Sequence, residues 1–71
     1  MKKINTEGIK SITFSDTLFQ NELITLEEYE IESIYQDETT GDYIIDNCDG
    51  LVFTAIKLEI NYKNKREVTL N

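Results

Sequence analysis

Asp46-Asn47-Cys48-Asp49-Gly50 is the stretch that most resembles a reactive or metal-binding loop. As an EF-hand calcium loop it fails. With Gly50 as the required glycine, Ile45 falls at the first ligand position and Ile56 at the twelfth, where carboxylates are needed. With Gly41 in that role, Gln36 comes first and Asn47 twelfth, so the bidentate Glu is missing again. As a nucleophile Cys48 is poorly placed, because Asp46 and Asp49 beside it disfavour a thiolate. The neighbouring carboxylates Glu27 with Glu28 and Asp37 with Glu38 lack the burial that would separate their pKa values for acid and base work. Without any His, the chain has no Ser-His or Cys-His dyad, and a single Cys leaves nothing for a disulfide or a zinc site. There is no glycine-rich phosphate loop either. We expect no enzyme, no metal and no cofactor.

The charges point elsewhere. The 71 residues carry 14 acidic and 7 basic side chains, a formal charge of −7. This balance opposes direct binding of nucleic acid, which depends on Lys and Arg displacing counterions from phosphates. Residues 1–15 hold Lys2, Lys3 and Lys10 against Glu7, net +2, and residues 51–71 hold Lys57, Lys63, Lys65 and Arg66 against Glu59 and Glu67, again net +2. Between them, residues 16–50 contain eleven acids and no Lys or Arg. If residues 29–35 form a strand, Glu28, Glu30 and Glu32 stand on one face at intervals of about 6.6 Å, twice the strand rise, comparable to the spacing of successive phosphates. A row of like charges opposes folding by self-repulsion, so such a row suits a surface that meets a basic cleft. The same residues also suit a plain solvated face that protects sheet edges and solubility. Lys63, Lys65 and Arg66 form a small basic patch that either touches phosphate or flanks a turn and pairs with the chain's own acids.

The elements that must position these groups are mostly strands. Ile56, Leu58, Ile60 and Tyr62 alternate with Lys57, Glu59 and Asn61, the period of a strand with one face on a core. Asp49-Gly50, a dipeptide that tolerates two positive φ values, makes Tyr43–Asn47 and residues 51–62 the arms of a hairpin. Lys63-Asn64-Lys65 turns the chain into a last strand, Glu67–Leu70, with Val68 and Leu70 inward. Thr39-Thr40-Gly41-Asp42 makes another turn, preceded by Tyr29, Ile31, Ser33 and Tyr35 in alternation with Glu28, Glu30, Glu32 and Ile34. Ile9–Phe14 suggests a strand. Residues 16–30 stay open: Thr17 with Gln20 and Thr25 with Glu28 have capping-box spacing, and Phe19, Leu23 and Leu26 would share a helical face. Against a helix, its acids would be like-charge neighbours. The expected fold is a single domain over residues 1–71, mainly β, a single antiparallel sheet or meander of about four to five strands, with room for one short helix within 16–28.

The aromatic residues should mostly enter the core, with Tyr29, Tyr35 and Tyr43, which lie among the acids, as the candidates for interface anchors. Met1 to Glu7 has basic residues but no apolar stretch behind them, and the longest apolar run, Leu51-Val52-Phe53, is far short of the roughly 20 residues a membrane span requires. A soluble, cytoplasmic protein is expected, and its lone Cys48 suits a reducing compartment as a buried or half-buried side chain.

A short, acidic, His-free chain that starts Met1-Lys2-Lys3 resembles the small anti-defence proteins of phages and other mobile elements, among them anti-CRISPR proteins and the phage inhibitor of uracil-DNA glycosylase. Glu32-Ser33-Ile34 is similar to a tripeptide on that inhibitor family's inserting strand, and Asp37-Glu38-Thr39-Thr40 looks like one of its acidic segments, although here the tripeptide runs directly into a turn. The resemblance implies a non-enzymatic inhibitor with a nucleic-acid-mimicking acidic face, acting in the host cell on a basic, nucleic-acid-binding protein. The expected partner-binding residues are Glu28, Glu30, Glu32, Tyr35, Asp37, Glu38 and Asp42. The competing expectation is a small assembly module that self-associates or pairs through an exposed strand edge.

Overall fold

Short runs of β-branched and aromatic residues in alternation with polar ones build the strands of the computed structural model, which describes residues 1–17 and 22–71. In chain order these are β1 (Lys2–Lys3), β2 (Ile9–Phe14), β3 (Ile24–Glu27), β4 (Ile31–Gln36), β5 (Tyr43–Asn47), β6 (Val52–Ala55), β7 (Leu58–Tyr62) and β8 (Glu67–Leu70), with a 3-10 turn at Glu28–Glu30. All pairings are antiparallel. The expectation of a mainly β fold holds, but the strands divide into two sheets of four, ordered β1-β4-β5-β6 and β3-β2-β7-β8.

The division has a local cause. Residues 51–62, expected as one hairpin arm, break at Ile56 and Lys57: β6 pairs with β5, while β7 pairs with β2. Ala55 and Leu58 are both buried, so the two residues between them turn the chain across the core, and Ile56, expected inside, is 65% exposed. The hairpins themselves are as expected. Gly50 in the β5–β6 turn has φ +86, although Asp49 does not share a positive φ. The turn is organised by the buried Asn47, whose side-chain oxygen accepts from the Asp49 and Leu51 N–H groups, both at 2.9 Å.

Both sheets contribute to one core. Ile34, Tyr43, Ile45 and Ala55 come from the first, and Ile9, Ile12, Phe14, Leu26, Leu58 and Ile60 from the second. The Phe14 and Phe53 rings meet across it with centroids 5.4 Å apart and planes at 60°, a tilted geometry that suits the ring quadrupoles. The outward face of the second sheet is polar, with Thr13 and Thr25 bonded through their hydroxyls at 3.1 Å.

Three local readings are corrected. A helix within 16–28 is replaced at its C-terminal end by β3, which holds Leu26 against Ile12 and Ile24 against Phe14. That core pairing outweighs the capping signal at Thr25 and Glu28. Leu23 is exposed, and Phe19 and Gln20 lie outside the described residues. The strand expected from Tyr29 begins only at Ile31. Cys48, expected to be at least half buried, is exposed on the β5–β6 turn. Among the described residues no helix is long and apolar enough to cross a membrane.

Candidate protein-binding surface

The 3-10 turn carries the crossing from the second sheet to the first, and its backbone is held from both sides. Glu27 N–H donates to the Glu30 carboxylate at 3.0 Å, closing the start of the turn. Cys48 N–H donates to the Glu30 carbonyl at 2.9 Å, and the Cys48 thiol lies 3.3 Å from the Tyr29 carbonyl as a weak donor. The acidic turn is thereby fastened to the β5–β6 hairpin, which brings Asp49 and the exposed Leu51 to the same end of the molecule. With its backbone so engaged, Tyr29 points outward and is 79% exposed.

The expected row of Glu28, Glu30 and Glu32 therefore does not exist as a row. Glu28 and Glu30 sit on the 3-10 turn, and Glu32 is the extra residue of a bulge in β4, where the register with β5 shifts between Ile31 and Ser33. Bulge and turn both break the period of two. The three remain neighbours in the chain at one end of β4, yet with different tasks. Glu28 forms an ion pair with Lys63, Glu30 caps its own turn, and Glu32 is exposed with no side-chain hydrogen bond among the described residues.

The other expected residues lie at the far end. Asp37 and Asp42 close the β4–β5 turn: Asp37 accepts from the N–H groups of Thr39 at 2.8 Å and Thr40 at 3.3 Å, and the Asp42 carbonyl accepts from Asp37 N–H at 2.9 Å. Glu38 is exposed on this turn. From Ile31 to Gln36 the strand climbs about 17 Å, so the two acidic groups form separate ends. Tyr35 lies between them, half buried on the outward face beside Ile44, with Lys3 opposite on β1. Of the three tyrosines singled out, Tyr43 is in the core and Tyr29 is the exposed one.

Asp49 and Leu51 had no place in the expected site. The turn that carries them is fastened to the 3-10 turn by the bond between Cys48 and Glu30, a long-range contact with no local sequence signal. A solvent-exposed aromatic ring on a fastened, acidic turn can anchor a protein partner with little entropy to lose. No family model, curated protein or solved structure matches this chain.

Proposed function

We propose that the protein is a non-enzymatic inhibitor that places its Tyr29 end in a basic site of a host nucleic-acid-handling enzyme, such as a CRISPR nuclease or a DNA repair enzyme. The observation that carries this reading is the exposure of Tyr29 on a turn fixed by Cys48, with Glu27 and Glu28 before it in the chain, Glu32 on the strand that follows and Asp49 on the hairpin fastened to the turn. An exposed aromatic ring offers a partner large contact area, and the acids of the turn and its neighbours supply electrostatic complementarity to the kind of cleft that otherwise holds phosphates. The β4–β5 turn, with Glu38 exposed, is a second acidic contact for the same partner.

The competing assembly reading needs a free strand edge, and the β6 edge is partly occupied: Thr17 N–H donates to the Thr54 carbonyl at 2.8 Å, and Thr54 N–H donates to the Asp16 carboxylate at 3.1 Å. Edge pairing would fall to the four-residue strands β3 and β8, to the two-residue β1 and to the part of β4 that β1 leaves unpaired.

The test is affinity capture with wild type, Tyr29→Ala and the double variant Glu32→Gln/Asp49→Asn. Glu28 and Glu30 are left intact because one pairs with Lys63 and the other caps the turn. A nucleic-acid-binding protein retained by wild type, released by salt or duplex DNA and lost with either variant, is the expected result. Equal retention by all three, or salt-insensitive self-association in size-exclusion chromatography, would overturn the reading.

A further inference from the structure

On the second sheet, in residues outside the acidic segment 16–50, three local irregularities converge. The first is a bulge in β2: Ile9 faces Tyr62 and Ser11 faces Asn61, which leaves Lys10 as the extra residue. Bulges re-aim side chains, and here both Lys10 and Ser11 line one shallow cavity of 370 Å³. The second is Lys65 at the β7–β8 turn, with φ +65. This is the left-handed region, where Gly or Asn sits with least cost and a Lys is uncommon, and the turn holds it there through the Lys65 N–H bond to the Tyr62 carbonyl at 3.0 Å. The third is Arg66, whose guanidinium carbon lies 4.4 Å from the centroid of the Tyr62 ring, which restrains the side chain.

We propose that this cavity binds a phosphoryl oxyanion carried by a small molecule. Lys10, Lys65 and Arg66 line it together with Ser11, Asn61 and a single carboxylate, Glu67. None of the three cations forms an ion pair among the described residues, in contrast to Lys63 with Glu28. The polar groups between them are donors. Asn61 gives one amide hydrogen to the Ser11 hydroxyl oxygen at 3.2 Å, which leaves the Ser11 hydroxyl hydrogen and the second Asn61 amide hydrogen to point at an anion. An excess of two positive charges in the lining matches a single phosphomonoester dianion. A polymer of phosphates is disfavoured, because each added phosphate meets the repulsion of a chain whose formal charge is −7. The cavity adjoins the start of the Tyr29 turn, since Glu27 faces Ser11 across the β2–β3 pairing, but the proposal does not depend on that turn binding a partner.

The probe is inorganic phosphate, titrated into isotope-labelled protein and followed by amide chemical shifts, with ionic strength held constant by chloride. Saturable, millimolar shifts at Lys10, Ser11, Asn61, Lys65 and Arg66 are expected. In Arg66→Gln and Lys65→Gly the affinity should fall about fivefold or more, the loss expected for one charge-assisted hydrogen bond. Lys57→Gln, on the corner between β6 and β7, should leave it unchanged. Lys65→Gly keeps the test independent of folding, since glycine accepts the turn's positive φ without strain. Identical shifts with chloride alone, or a fall in affinity as large for Lys57→Gln, would overturn the proposal. So would an oligothymidylate that binds this face more tightly than phosphate.

Discussion

Leu58→Ala and Ile56→Ala remove the same three carbons at two positions of equal parity in the sequence, and the fold makes their consequences unequal. Leu58 is 0% exposed, faces Phe14 on one side and Leu70 on the other, and belongs to the core shared by both sheets. At about 0.8 kcal/mol per buried carbon, the transfer loss is about 2.4 kcal/mol. The cavity left behind adds to it, for a total of about 3–4 kcal/mol. Ile56 is 65% exposed, so about a third of the same transfer loss applies, below about 1 kcal/mol. A chain of 71 residues has roughly 4–11 kcal/mol of total stability, of which the Leu58 change removes a large part. In urea titration, with a slope of about 1 kcal/mol/M for so small a protein, the Leu58 variant's midpoint should drop by about 3 M and the Ile56 variant's by less than about 1 M. Equal shifts with unchanged slopes would refute the break between β6 and β7, because they would mean that residues 51–62 form one continuous strand with Ile56 facing the core.

Asp16, 4% exposed, accepts the Thr54 N–H, so Asp16→Ala should cost about 1–3 kcal/mol in the same titration and Asp16→Asn, which keeps an acceptor oxygen, less. A cost under about 0.5 kcal/mol for the Ala variant would show the clamp on the β6 edge to be idle. Gly50→Ala adds a Cβ with no heavy atom within 4 Å of it, at φ +86, so the expected loss of about 1–2 kcal/mol is a backbone cost alone. No loss in thermal or urea unfolding would mean that the turn adopts another conformation.

Which elements were legible follows from what periodicity can carry. Ile9–Phe14, Tyr43–Asn47 and Glu67–Leu70 were assigned to the residue, because each is a strong local pattern, two of them bounded by turn signals that the fold uses as expected. Alternation alone says which side chains share a face and nothing about which sheet a strand joins. Ile56 has the parity of Leu58 and Ile60, but two residues suffice to carry the chain from one sheet to the other. A bulge has the same effect on a smaller scale: at Lys10 and at Glu32 one extra residue resets the parity, which is why the glutamate row dissolved. Tyr29 stood among acids in the sequence, yet its exposure depends on Cys48 reaching back to the 3-10 turn from the β5–β6 hairpin.

The fold also resolves an ambiguity in the charge count. Eleven acids without an intervening base would repel one another if they shared a surface, and the chain avoids this by giving many of them structural partners. Asp16 holds the β6 edge, Glu30 and Asp37 cap turns, Asp46 accepts from the Ser33 hydroxyl at 2.8 Å, and Glu28 meets Lys63. Lys2 and Lys3 pair with Gln36 and Tyr35, which places cations beside the β4–β5 turn that the sequence left wholly acidic. Acids with such partners contribute to stability and would be kept without any ligand. Glu22, Glu32, Glu38, Asp42 and Asp49 have no side-chain hydrogen bond or ion pair among the described residues, so neutralising them sacrifices no contact and relieves repulsion. Glu32 and Asp49 lie at the end that exposes Tyr29, and Glu38 and Asp42 lie on the β4–β5 turn at the other. On the proposed function, a partner's preference is to be sought in these carboxylates at both ends, for which the fold itself supplies no contact.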